Sequence, residues 1–74
     1  MTYTAQNFLA SPRFVEIATE DAIVTVAKAN GQTVDMTKTA LEMLVPNVVA
    51  KVGKLILAAA EHCASEANAG RLWK

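Results

Sequence analysis

The longest amphipathic pattern in the chain is "VPNVVAKVGKLILAAAEHCASEANAG", residues 45–70. Val45, Val49, Val52, Ile56, Ala59 and Cys63 recur at spacings of 4, 3, 4, 3 and 4. That heptad-like stripe is built to be buried, and Lys51, Lys54, Glu61 and Ser65 fall on the opposite face. Pro46 fits a first helical turn, where its missing N–H costs nothing, and Gly70 fits the stop. The pattern therefore predicts a helix over about 46–69. Gly53, Ala60, Ala64 and Ala67 form a flank of small residues that permits close approach of another helix. Leu57 projects beyond that flank and Leu55 on the far side of the stripe. A membrane span needs about 20 mostly apolar residues. Here Lys51, Lys54 and Glu61 interrupt, and the uncharged core of the run is only "LILAAA".

Upstream, "TYTAQNFLA" predicts a short helical turn anchored by Phe8 and Leu9. Ser11-Pro12 is a strong helix start, a serine N-cap followed by proline at the first position. The reading from there is helix to Asn30, bent or broken near Thr19, with Glu20 and Asp21 suiting a fresh N-terminus. Lys28 suits a last turn and Gly31 the left-handed residue after it. A hairpin competes over "AIVTVAKANGQTVDM", where β-branched residues flank Asn30-Gly31. Its flanks do not alternate cleanly, because Val24 and Val26 share a face with Lys28. Thr37 or Thr39 can cap a further short helix, and Thr39 with Glu42 has capping-box spacing. The expected fold is an all-α bundle of three to four helices with a long C-terminal helix, one domain over residues 1–74.

Length changes the picture, because 74 residues bury only about 60% of the surface that the unfolded chain exposes. Small domains compensate with disulfides, metals or self-association. Cys63 is the single cysteine and His62 the single histidine, so association remains, and the expected state is a homodimer. Its contact residues are Val49, Val52, Ile56, Ala59 and Cys63, with Leu55, Leu57 and Trp73 at the margins. Trp73 beside Arg71 has the composition of an interface anchor. Seven basic and seven acidic residues balance to zero, which argues against affinity that comes mainly from neutralising phosphates. The first residues lack a basic start and a long apolar stretch, so no secretory signal is expected. With a lone thiol, this favours the cytoplasm.

Candidate chemistry is sparse. His62 and Cys63 are adjacent, which on a helix points them about 100° apart rather than together. His62 can pair instead with Glu66 one turn later. Glu16, Glu20 and Asp21 read as a solvated face, and Gly31, Gly53 and Gly70 form no phosphate loop. No enzyme, metal, cofactor or small-molecule substrate is expected.

The segment "VAKANGQTVDMTKTAL", Val26 to Leu41, resembles the helix-turn-helix motif of DNA-binding regulators. Ala27 precedes the turn residue Gly31 by four, Thr33 stands where the recognition helix opens, and Ala40 and Leu41 occupy apolar positions. Gln32 and Thr37 stand where the motif carries buried apolar residues. The resemblance implies that Thr33, Asp35, Met36, Thr37 and Lys38 lie toward the major groove or its edges. The residues themselves point first to a non-enzymatic interaction module, an adaptor or inhibitor of a larger protein that self-associates through its C-terminal helix. A helix-turn-helix regulator is the alternative.

Overall fold

The computed structural model describes residues 2–71, which form four helices. These are α1 (Ala5–Leu9), α2 (Pro12–Ala29), α3 (Val34–Glu42) and α4 (Pro46–Asn68), with no strand among the described residues. The expected all-α bundle with a long C-terminal helix is the observed one. The hairpin alternative is not: Ile23 to Lys28 is helical and the chain turns only at Asn30–Thr33.

Each boundary has a local cause. Ser11 accepts a hydrogen bond from the Phe14 N–H at 3.4 Å, and Pro12 follows at the first position of α2. Helix α2 then runs 18 residues without the interruption expected near Thr19. No proline or glycine falls inside it, and Glu20 and Asp21 simply face solvent. The start of α3 is earlier than Thr37 or Thr39. Thr33 is its cap, accepting from the Met36 N–H at 3.1 Å. Thr39 and Glu42 form no capping box, because both lie within α3, and the Thr39 hydroxyl donates back to the Asp35 carbonyl at 2.9 Å. Gly31 in the left-handed region had already closed α2, so the next serviceable cap in sequence, Thr33, restarts the helix.

Helices α2, α3 and α4 end alike. In each, the two N–H groups beyond the cap turn back to carbonyls in the last turn: Gln32 to Ala27, Val45 to Ala40, and Arg71 to Glu66. This closure needs a left-handed residue just after the helix. Gly31 and Gly70 supply it at φ 63° and 74°. After α3 the residue is Leu44, at φ 56°. A Cβ in that region costs roughly 1–2 kcal/mol.

Helices α2 and α4 pack antiparallel. Ile23 and Val26, late in α2, meet Val48 and Val52, early in α4; Phe14 and Ile17 border a groove with Cys63, late in α4. Leu41, Ala40, Leu55 and Ile56 close over the first of these clusters. Toward the other end the buried positions are Ala18, Ala60, Ala64 and Ala67, with α1 laid against α4 and α2. Of the small flank of α4, Ala60, Ala64 and Ala67 are used within the chain, where alanines let neighbouring helices lie close, while Gly53 is exposed. The buried stripe runs through Val48, Val52, Ala60, Ala64 and Ala67. It drifts around α4 because steps of four residues outnumber steps of three, which a strict heptad would balance.

The N-terminal segment is held at the far end. The Asn68 side chain accepts from the Tyr3 N–H at 2.6 Å and donates to the Tyr3 carbonyl at 2.8 Å. Phe8 packs between Tyr3 and Phe14, with ring centroids 6.4 and 5.6 Å away. The result is a rod of 40 × 19 × 17 Å whose radius of gyration is 13.5 Å. A compact chain of this length would have about 11 Å.

Two substitutions test this packing. Gly53 lies inside α4 and is exposed, and an added Cβ would meet nothing within 4 Å. Gly53→Ala should therefore raise unfolding free energy by about 0.5–1 kcal/mol in urea denaturation. Asn68→Ala removes both bonds to Tyr3 and should lower it by about 1 kcal/mol, with faster amide exchange confined to α1.

Candidate interaction surface

Helix α4 leaves α3 at 104°, so the Met43–Val45 turn forms an open corner. Three large side chains stand out of it, with Met36 55%, Met43 73% and Leu44 73% exposed. Val45 and Val49 continue the apolar surface onto the first turns of α4. Along α3 and into the turn runs a groove of about 440 Å³ lined by Asp35, Met36, Thr39, Ala40, Met43 and Val45. Leu44 is unusual twice over. Its backbone conformation favours glycine, and its side chain meets mostly water, so neither the turn nor the core accounts for leucine there.

The face of α3 that looks outward carries Asp35, Met36, Lys38, Thr39 and Glu42. It carries one methionine, and its two carboxylates outnumber its single ammonium. Thr37 has turned inward: it has no exposed surface, and its hydroxyl donates to the Thr33 carbonyl at 3.2 Å. A polar side chain whose hydrogen bond is satisfied within the helix can hold a core position. Thr37 does so, and it is thereby removed from the surface that the helix-turn-helix resemblance assigned it. Thr33 is spent as the α3 cap, while Asp35, Met36 and Lys38 remain accessible.

The residues expected along the C-terminal seam separate. Val52 is buried in the core of its own chain, so no second chain can reach it. Leu55 and Ile56 pack against the same core, and Ala59 and Cys63 are half-buried. Val49 is exposed and joins the corner; Leu57 is exposed on the far side of α4, away from it. Trp73 lies outside the described residues. The seam misses the corner because Met43 and Leu44 belong to a turn, where no helical periodicity marks them. The available signal was local: three apolar residues, Met43, Leu44 and Val45, sit directly before a proline that must start a new helix.

A second groove, of about 590 Å³, lies between α1, α2 and α4, lined among others by Tyr3, Phe8, Arg13, Phe14, Ile17 and Cys63. Cys63 is a free thiol on its wall. His62 turns to solvent and stands 3.9 Å from Glu66, the pairing expected from their spacing. Glu66 is engaged chiefly by Arg71, whose Nε and Nη2 both donate to the carboxylate. That hydrogen bonding, opposed by partial desolvation and aided by the charges of Arg71 and His62, holds the Glu66 carboxyl below its ordinary range. The pair fastens the end of α4. Glu16, Glu20 and Asp21 are all exposed along α2. Among the described residues no three metal-ligating side chains converge. No single helix there is long and apolar enough to cross a membrane. The chain matches no family model, no curated protein and no solved structure.

Proposed function

We propose that the chain is a non-enzymatic protein–protein interaction module, an adaptor or inhibitor of a larger protein in the cytoplasm, that also self-associates. The observation that carries this reading is the corner of Met36, Met43, Leu44, Val45 and Val49, exposed around a groove in a rod with little core of its own. Methionine-lined grooves suit partner helices, since the flexible thioether side chain fills irregular gaps. A small domain gains from covering such a surface, both in buried area and by mass action on its folded state. The surface differs from the C-terminal seam, part of which is consumed internally; Val45 and Val49 are common to both.

Leucine at position 44 provides the test. Leu44→Gly relieves the left-handed strain and should raise unfolding free energy by about 1 kcal/mol. The same change removes an exposed anchor, so partner capture from extracts of the native host should fall severalfold relative to wild type. A module reading requires the two effects to diverge. Capture that is unaltered by both Leu44→Gly and Met43→Glu would remove the corner from consideration.

The helix-turn-helix alternative draws on the order α2, turn at Gly31, α3 opened by Thr33. Against it stands the outward face of α3, where Asp35 and Glu42 would meet phosphates and Lys38 is the single cation. The expected result is no shift of labelled duplex DNA at about 50 mM salt. Binding that weakens steeply with salt and with Lys38→Glu would reverse the ranking of the two readings.

A further inference from the structure

The geometry points to a second copy of this chain as the occupant of the corner, with α3 packed antiparallel on the α3 of its partner about a two-fold axis between Thr39 and Ala40. The inference rests on the reading of the corner as an interaction surface, and it deepens that reading by naming the partner and the register.

The first support is the size pattern on the open face of α3. Met36, Thr39, Ala40 and Met43 occupy one stripe at spacings of 3, 1 and 3, and all four line the groove. The pattern is large, small, small, large, and it reads the same in both directions. A two-fold contact requires a patch that is complementary to itself. Antiparallel pairing centred between Thr39 and Ala40 sets Met36 of one copy level with Met43 of the other, twice by symmetry. The small central pair lets the helices approach to about 8 Å.

The second support is charge. The chain carries no net charge, so two copies approach without mutual repulsion. Lys38 and Glu42 fall on the side of α3 turned away from the Met36–Met43 stripe, and Asp35 is the one charged residue that lines the groove.

The third is area. Met36, Met43, Leu44, Val45 and Val49 expose roughly 500 Å² of apolar surface, the size at which a patch on a monomer is usually functional. Two such patches pressed together bury at most about 1,000 Å², below the standard specific interface and in the range of weak, transient contacts. That magnitude fits a reversible dimer, one that adds stability as concentration rises, rather than an obligate pair. The aromatic groove near Cys63 lacks a self-complementary pattern of this kind.

The test uses the full chain. Sedimentation equilibrium should report a mass moving from 7.9 kDa toward twice that value as concentration rises into the hundreds of micromolar. The melting temperature should climb with it. Met36→Asp and Met43→Asp, both at exposed positions, should keep the helical circular dichroism of the wild type while weakening dimerisation at least tenfold. In a Cys63→Ser background, Thr39→Cys should form an oxidised dimer rapidly, since two residues beside the axis bring their Cβ atoms within disulfide range. Glu20→Cys, on the solvent face of α2, should not. A chain that stays monomeric throughout overturns the pairing, as does a dimer indifferent to both methionine changes or one that cross-links equally well through Glu20→Cys. If such a monomeric chain still loses a captured partner on Met43→Glu, the pairing falls while the interaction reading stands.

Discussion

The close packing of α2 on α4 is the constraint on which the rest depends. Among the described residues six of the buried hydrophobic positions are alanines: Ala18, Ala22, Ala27, Ala60, Ala64 and Ala67. Alanine brings helices near one another and keeps helix propensity high, but each contributes little buried area. Only Ile23, Val26, Val48 and Val52 add bulk. The larger side chains, Phe8, Phe14, Leu41, Leu55 and Ile56, are pushed to the rim and half-covered. A 23-residue helix about 35 Å long fixes the length of the rod, and the three shorter helices cannot wrap it. The thin core and the bare corner are two results of one arrangement.

That arrangement explains why the corner, rather than the α4 stripe, is left exposed. The first half of α4 turns Val48 and Val52 toward α2, and the second half turns Ala60, Ala64 and Ala67 toward α1 and α2. Helix α3 is short and crosses almost at a right angle, so it covers the start of α4 with one side only. Its other side, with Met36 and Met43, is exposed among the described residues. Leu44 sits where the backbone must turn left-handed and points its side chain outward. Both the backbone and the exposure work against stability.

The helices were legible in the sequence where chemistry is local. Ser11-Pro12, Asn30-Gly31, Pro46 and Gly70 mark boundaries that the structure keeps, because a cap or a left-handed residue is decided by one or two side chains. The start of α3 was harder: Thr33, Thr37 and Thr39 can all cap, and only the tight closure after Gly31 selects the first. Burial was less legible still. Val49 and Val52 share a stripe in the sequence, yet one is exposed and the other enclosed, because the covered face of α4 shifts along its length. Thr37 looked polar and available, but back-bonding to Thr33 made it a core residue. The corner lay outside periodic analysis because turns carry no period.

The double hydrogen bond between Tyr3 and Asn68 joins positions 65 apart in sequence. Both ends of the folded segment therefore emerge from one pole, and the Met43–Val45 turn occupies the opposite pole, more than 30 Å away along α4. A tether, tag or neighbouring domain fused at either terminus would trail behind the molecule and leave its leading tip unobstructed.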